Sequence, residues 1–200
     1  MPGIGAIVLA AGASQRFGAD NKLLASIGAE PLVRRVVQAL VRGRITDIVI
    51  VTGHERALIE AAVDALPVRF AHNENWASGM ASSIVASVSA LPADVDGAFI
   101  VPGDMPFLTA TVIERLAGVF DEDGRASIVY PATSGGEQRN PVLWPRRFFG
   151  KLAALSGPQG AKQLLAALGA ESIAVTIDDH VFTDIDTEAD LAAARARAGN

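Results

Sequence analysis

A chain of 200 residues is long enough to bury one sizeable core. Half of its residues are hydrophobic and a fifth are charged, which excludes a disordered chain, and a net charge of −5 excludes a basic field for nucleic acid. The sequence has no cysteine, which excludes disulfides and thiolate zinc sites and fits a reducing cytoplasm.

The chain begins with an apolar run, residues 4–13. It lacks a basic start, and Arg16 and Lys22 follow closely, so it reads as a buried strand and loop rather than a targeting segment. No apolar run approaches the roughly 20 residues needed to cross a bilayer. Consecutive apolar positions predict strands over 7–10, 47–51, 68–71, 98–101 and 128–130, with a further candidate at 173–177. Helical spacing predicts helices over 32–41, 56–65, 82–91, 111–120, 162–168 and 187–198. Pro31 suits the start of the first, and Thr111 with Glu114 has capping-box spacing. The polar, glycine-bearing stretch 134–139 reads as a mobile loop. This alternation predicts an α/β fold: a single-domain, three-layer Rossmann-like sandwich over 1–200 with a mostly parallel sheet. In such sheets ligands sit beyond the carboxyl ends of the strands, so the residues just after each strand are the informative ones.

Five segments stand there. Leu9-Ala10-Ala11-Gly12-Ala13-Ser14-Gln15-Arg16-Phe17-Gly18, with Lys22 following, lets backbone N–H groups approach phosphate oxygens and adds two mobile cations. The plain alternative is a small-residue turn with two solvated bases. It is neither a Walker loop, which would end in Gly-Lys-Ser/Thr, nor a dinucleotide loop, since Gly3 and Gly5 precede the strand. Gly103-Asp104-Met105-Pro106 sets a carboxylate at a strand end, suited to magnesium or to an Asx turn. Asp184-Ile185-Asp186-Thr187 spaces two carboxylates i, i+2 on extended chain, so both face one way; Asp186 or Thr187 equally reads as the cap of the last helix. The run from Asn73 to Ile84 offers Gly79, Ser82 and Ser83 to a base or ribose, or else a loop and an N-cap. Arg139-Asn140-Pro141-Val142-Leu143-Trp144 presents Arg and Asn from a restricted backbone, or starts a strand with Trp144 in the core. His54, His72 and His180 show no ligand spacing, and Met80 and Met105 read as packing residues.

In this order, these strings resemble the NTP-transferase family that includes the molybdenum cofactor cytidylyltransferases. The likeness spans nearly the whole chain, and Ala10-Ala11-Gly12 looks like the cytidylyl branch. One departure is Gly157-Pro158-Gln159-Gly160-Ala161-Lys162, where the family often has Gly-Asp-x-Gly-Ala-Arg. The resemblance implies a glycosyltransferase-A-like nucleotidyltransferase fold. It implies a nucleotide site of Leu9, Ala10, Ala11, Gly12, Ser14, Arg16, Lys22, Gly79, Ser83 and Asp104, with Lys22, Arg16 and Asp104 catalytic. It further implies Mg2+ on Asp104 and Asp186, and the acceptor near Arg139 and Asn140. The implied partners are CTP or another NTP, a molybdopterin-type phosphorylated acceptor and a molybdoenzyme apoprotein. Neither a nucleic acid nor a membrane is implied. Within the class, the alternatives are GTP or ATP as donor and a sugar or polyol phosphate as acceptor. Outside it, the alternative is a non-catalytic subunit that delivers cofactor to a molybdoenzyme.

Overall fold

Apolar side chains on both faces of the first strand drive it into the centre of a sheet. In β1 (Ile4–Ala10), Ala6, Val8 and Ala10 turn to one core cluster while Ile7 turns to another. A computed structural model describes residues 3–18, 20–157 and 160–199. Beside β1 lies β4 (Asp47–Thr52), and beyond it β5 (Val68–His72), all parallel. On the other flank of β1 runs β6 (Gly97–Pro102), also parallel. The sheet continues through β8 (Val142–Pro145), β7 (Ile128–Ala132) and β9 (Ser172–Thr176) in the order β5-β4-β1-β6-β8-β7-β9. Only β8 runs against its neighbours. A two-stranded ribbon, β2 (Ser26–Ile27) with β3 (Glu30–Pro31), precedes the first helix.

Helices cover both faces. α1 (Leu32–Arg42), α2 (Arg56–Ala62) and α4 (Ala110–Glu122) pack on one cluster through Val36, Leu40, Ile59, Ile113 and Phe120. α3 (Met80–Val88), α5 (Phe149–Ala153) and α6 (Lys162–Ala167) cover the other face through Ile84, Leu152 and Leu165. A satellite cluster joins the C-terminal α7 (Glu188–Ala198) to the loop after β1: Leu191 and Ala194 pack with Ile185, Phe17, Ile27 and Leu32. No helix among the described residues is long and apolar enough to cross a membrane.

The chain leaves β1 towards β4 and β5, then returns to lay β6 on the opposite flank. Two connections therefore diverge above β1 and β6. A crevice opens at such a switch point, beyond the carboxyl ends of the strands.

The structure amends the reading of three elements. β8 is a strand that periodicity left unassigned; its four residues are all buried, with Trp144 1% exposed, so the strand-start reading of that motif holds. The cap of α4 is Thr109, whose side chain accepts the Val112 N–H at 3.3 Å; Thr111 lies inside the helix and exposed. The stretch 134–139 forms a hydrogen-bonded turn, not an open loop: Gly136 N–H donates to the Thr133 carbonyl at 2.9 Å and Thr133 N–H to the Glu137 carbonyl at 2.9 Å. The segment 157–162 includes Pro158 and Gln159, which lie outside the described residues.

Thr109→Ala should therefore cost about 1 kcal/mol in urea unfolding, whereas Thr111→Ala should shift stability by less than about 0.5 kcal/mol. The reverse ranking would return the cap to Thr111.

Candidate functional site

Three carbonyl contacts assemble the floor of the crevice. The Gly103 N–H donates to the Leu9 carbonyl at 3.1 Å, and the His54 N–H to the Ala11 carbonyl at 3.1 Å, tying the loops after β6 and β4 to the end of β1. The Ile185 N–H donates to the Asp104 carbonyl at 3.2 Å. That bond brings the C-terminal carboxylate segment beside the loop after β6, although some 80 residues separate them in sequence. Thr187 and Asp190 then form a capping box on α7, and the Asp190 carboxylate also accepts the Asp186 N–H at 3.1 Å. Ile185 is fully buried, so Asp186 is held from both sides.

Lys22 stands in the middle. Its backbone opens a short 3-10 turn capped by Asn21, whose buried side chain accepts the Leu23 N–H at 3.1 Å and the Ser14 hydroxyl at 3.3 Å. Its Nζ lies 2.5 Å from Asp104 Oδ2 and 2.7 Å from Asp186 Oδ1. Arg16, on the exposed loop, reaches Asp186 Oδ2 at 2.9 Å. Burial works against the Lys22 ammonium, but the two carboxylates outweigh it and hold its pKa above the ordinary lysine value. Asp104 Oδ1 is buried and has no partner.

Around this cluster opens a cleft of about 830 Å³, and an inner cavity of about 320 Å³ adjoins it. Leu9, Met80 and Pro102 line both. Of the residues expected at the nucleotide, Leu9, Ala11, Gly12, Ser14, Arg16, Lys22, Gly79, Ser83 and Asp104 line the cleft, as does Asp186. Ala10 does not. It is fully buried in the opposite layer, because strand alternation turns its side chain away from those of Leu9 and Ala11. At Gly12 an added Cβ would meet nothing within 4 Å, so the absent side chain leaves the cleft open there. Gly79 has φ +116°, a conformation that favours glycine, and it starts α3. Asn73 fixes that start: its Nδ2 donates to the Ser82 and Ser83 hydroxyl oxygens at 2.8 and 3.0 Å.

Arg139 and Asn140 line the inner cavity, with Trp144, Lys162 and Asp184. Arg139 Nε and Trp144 Nε1 are buried donors without a partner, a pairing that suits a polar ligand there. Asp186 joins Lys22 in the cleft, while Asp184 lines the inner cavity. The two side chains open onto adjoining spaces, and Ile185 between them is buried in the satellite cluster, as alternation along an extended segment requires. Asp184 is solvent-exposed at the cavity wall, yet the protein around its carboxyl still displaces part of its water. Its partial burial, then the nearby Asp104 and Asp186 charges, push its carboxyl up to about 6 against the pull of Lys22 and Arg139.

Sequence reasoning missed Trp76, Met80 and Lys162 as lining residues. Met80 is half exposed between the two spaces and is no packing residue, whereas Met105 is buried as expected. Trp76 packs beside His54, ring centroids 5.2 Å apart. Gly53 makes room for it, since a Cβ there would lie 2.6 Å from Trp76 Cβ. The signal for Trp76 was present, three residues before Gly79, but a lone aromatic in a loop has no spacing to distinguish it.

Among the described residues no three His, Cys, Asp or Glu side chains form a ready metal cage. Asp104 and Asp186 nevertheless share one cation, and Asp104 keeps an unpaired anionic oxygen. Two carboxylates completed by substrate phosphates are the ligand set that magnesium takes, so the residues fit a divalent ion.

Comparison with known proteins bears on family and fold. The MobA-like NTP transferase domain family matches residues 6–173. A bifunctional GlmU protein from Sinorhizobium fredii is 25% identical over 94% of this chain and 50% of its own length. The chain spans half or less of the length of the GlmU proteins it matches. A nicotine blue oxidoreductase from Paenarthrobacter nicotinovorans is 31% identical over 64% of this chain and 61% of its own. Rv0371c from Mycobacterium tuberculosis has the same fold, with a TM-score of 0.84 at 21% identity over 98% of each chain. A manganese complex of that protein superposes with a TM-score of 0.77 at 20% identity, covering 96% of this chain and 97% of the other.

The raised Asp184 pKa has a sign. Its folded value, about 6, lies above the ordinary 3.8, so the ionised carboxylate opposes folding above pH 6 and the penalty fades as pH falls towards 4. With chelator present, Asp184→Asn should raise the melting temperature at pH 7.5, with the gain shrinking by pH 4.5. A pH-independent effect would remove the charge argument.

Proposed function

Starting from a chain that belongs to the MobA-like NTP transferase family, we propose that it transfers CMP from CTP to the terminal phosphate of a molybdopterin-type acceptor and releases pyrophosphate. The observation that carries the reading is the meeting of Lys22, Arg16, Asp104 and Asp186 at the switch-point cleft, with a second cavity opening beside Asp184. The cleft is the nucleotide's place. The inner cavity, with Arg139 and Lys162 among apolar and aromatic walls, suits a flat polar ring bearing a phosphate.

The reaction is an in-line exchange at the α-phosphorus. An acceptor phosphate oxygen forms the new P–O bond as the bond to the β-phosphate oxygen breaks, and pyrophosphate carries the charge away. The attacking phosphate has its second pKa near about 6 and is mostly dianionic at neutral pH. It needs no general base, and among the described residues no histidine lines the cleft or the inner cavity. Lys22 and Arg16 stabilise charge growing on the departing pyrophosphate. A divalent ion held by Asp104 and Asp186, for which we favour Mg2+, would neutralise phosphate oxygens and orient them. Gly79 and Ser83 border the base, and Arg139 and Asn140 the acceptor. The cysteine-free chain suits action in the cytoplasm.

Pyrophosphate release should be fastest with CTP, magnesium and molybdopterin together. Faster release with GTP or ATP, or with a sugar or polyol phosphate, would reassign donor or acceptor. Binding without release across the whole panel would favour a cofactor-delivery subunit instead. Lys22→Ala should lower turnover by a factor of about 10² to 10³, the effect of losing about 2.7–4 kcal/mol of charge stabilisation; turnover like that of the unaltered protein would take Lys22 out of the chemistry. Asp104→Asn should raise the magnesium concentration needed for half-maximal rate, and an unchanged titration would make Asp104 a turn former only.

A further inference from the structure

Three of the four oxygens on Asp104 and Asp186 are already held by side-chain cations. Lys22 Nζ takes Asp104 Oδ2 and Asp186 Oδ1, and Arg16 takes Asp186 Oδ2. Only Asp104 Oδ1 is left, buried and unpaired. One ammonium and one guanidinium charge already balance the charges of these two carboxylates before any ligand arrives. A divalent ion shared by the two aspartates would compete with the Lys22 ammonium, which already lies 2.5 Å from one carboxylate and 2.7 Å from the other.

The geometry points to a second role for Lys22, resting on the nucleotide reading above: it is the internal counter-ion of Asp104 and Asp186, and it competes with the divalent ion for these two carboxylates. The Lys22 backbone is fixed by the Asn21 cap. Its four-carbon stem is flexible, so the ammonium moves without moving the loop. Arg16 is 77% exposed and free to follow. A nucleoside triphosphate brings roughly four negative charges, phosphate charge of the kind that draws lysine and arginine. As the two cations turn to the phosphates, the carboxylates are released to the metal. Metal and nucleotide thus strengthen each other's binding by the same factor, which linkage requires. Without nucleotide, the ammonium keeps the two carboxylates from repelling each other and keeps the metal weakly bound.

The test measures Mn2+ binding to nucleotide-free protein, from the electron paramagnetic resonance signal of the free ion. Lys22→Met keeps the stem and removes the charge; it should bind Mn2+ tenfold or more tighter than the unaltered protein. Arg16→Ala, on an exposed side chain with no packing role, should tighten binding at least twofold. Adding Asp104→Asn to Lys22→Met should abolish the gain, which ties it to this pair of carboxylates. If Lys22→Met binds Mn2+ no more tightly than the unaltered protein, the counter-ion role is overturned. Should that variant not fold without metal, Arg16→Ala decides, and unchanged affinity there overturns the role as well. Loss of the transferase reading looks different: no pyrophosphate from any donor, with the Mn2+ gain intact.

Discussion

An ammonium group between two carboxylates, largely out of water, constrains almost everything else in this molecule. Lys22 comes from the loop after the first strand, Asp104 from the loop after β6, and Asp186 from the segment that leads into the last helix. The triad is partly exposed, Asp186 by 35%, so its contribution is chiefly one of position: the ammonium ties the three segments to one another. The Ile185 to Asp104 backbone bond and the capping box on α7 give the same junction a second attachment. A chain that joins its two ends over the centre of a sheet has made a walled site there.

The sheet supplies the position and the wall. Because β6 returns on the opposite flank from β4, the connections separate and leave a crevice above β1. The reversed strand β8 starts at that same end, so Arg139 and Asn140 come to the cavity from just before it, and Trp144 lines the cavity from within the strand. Charge and shape divide the labour. The outer cleft has cations and small residues, fit for a polyphosphate; the inner cavity has buried unpaired donors among apolar walls, fit for a polar ring.

Much of this could be read in the residues, and the parts that could not have physical causes. Parallel strands buried on both faces are continuous apolar runs, so β1, β4 and β6 stood out. β8 did not, since the three residues between Pro141 and Pro145 carry too little periodicity. The loop after β1 was legible as a candidate because Gly12, Arg16 and Lys22 follow directly on a buried strand, and the structure sets all three on the cleft. Asp104 and Asp186 were legible as candidates, but their convergence depends on a backbone bond across the chain that no local pattern encodes. Ala10 shows the opposite limit: it belongs to the right string, yet alternation puts it in the core. Asp184 and Asp186 have the spacing of a shared face, and they open onto adjoining spaces with the isoleucine between them buried.

The account stands most directly on where a polyphosphate and a metal come to rest. A crystal structure with a non-hydrolysable CTP analogue and Mn2+, the ion located by its anomalous scattering, measures both at once. The expected density places the ion against Asp104 and Asp186 and the triphosphate against Lys22 and Arg16, with the Lys22 ammonium withdrawn from the carboxylates. A nucleotide bound away from the loop after β1, or an ion on other ligands, would contradict it.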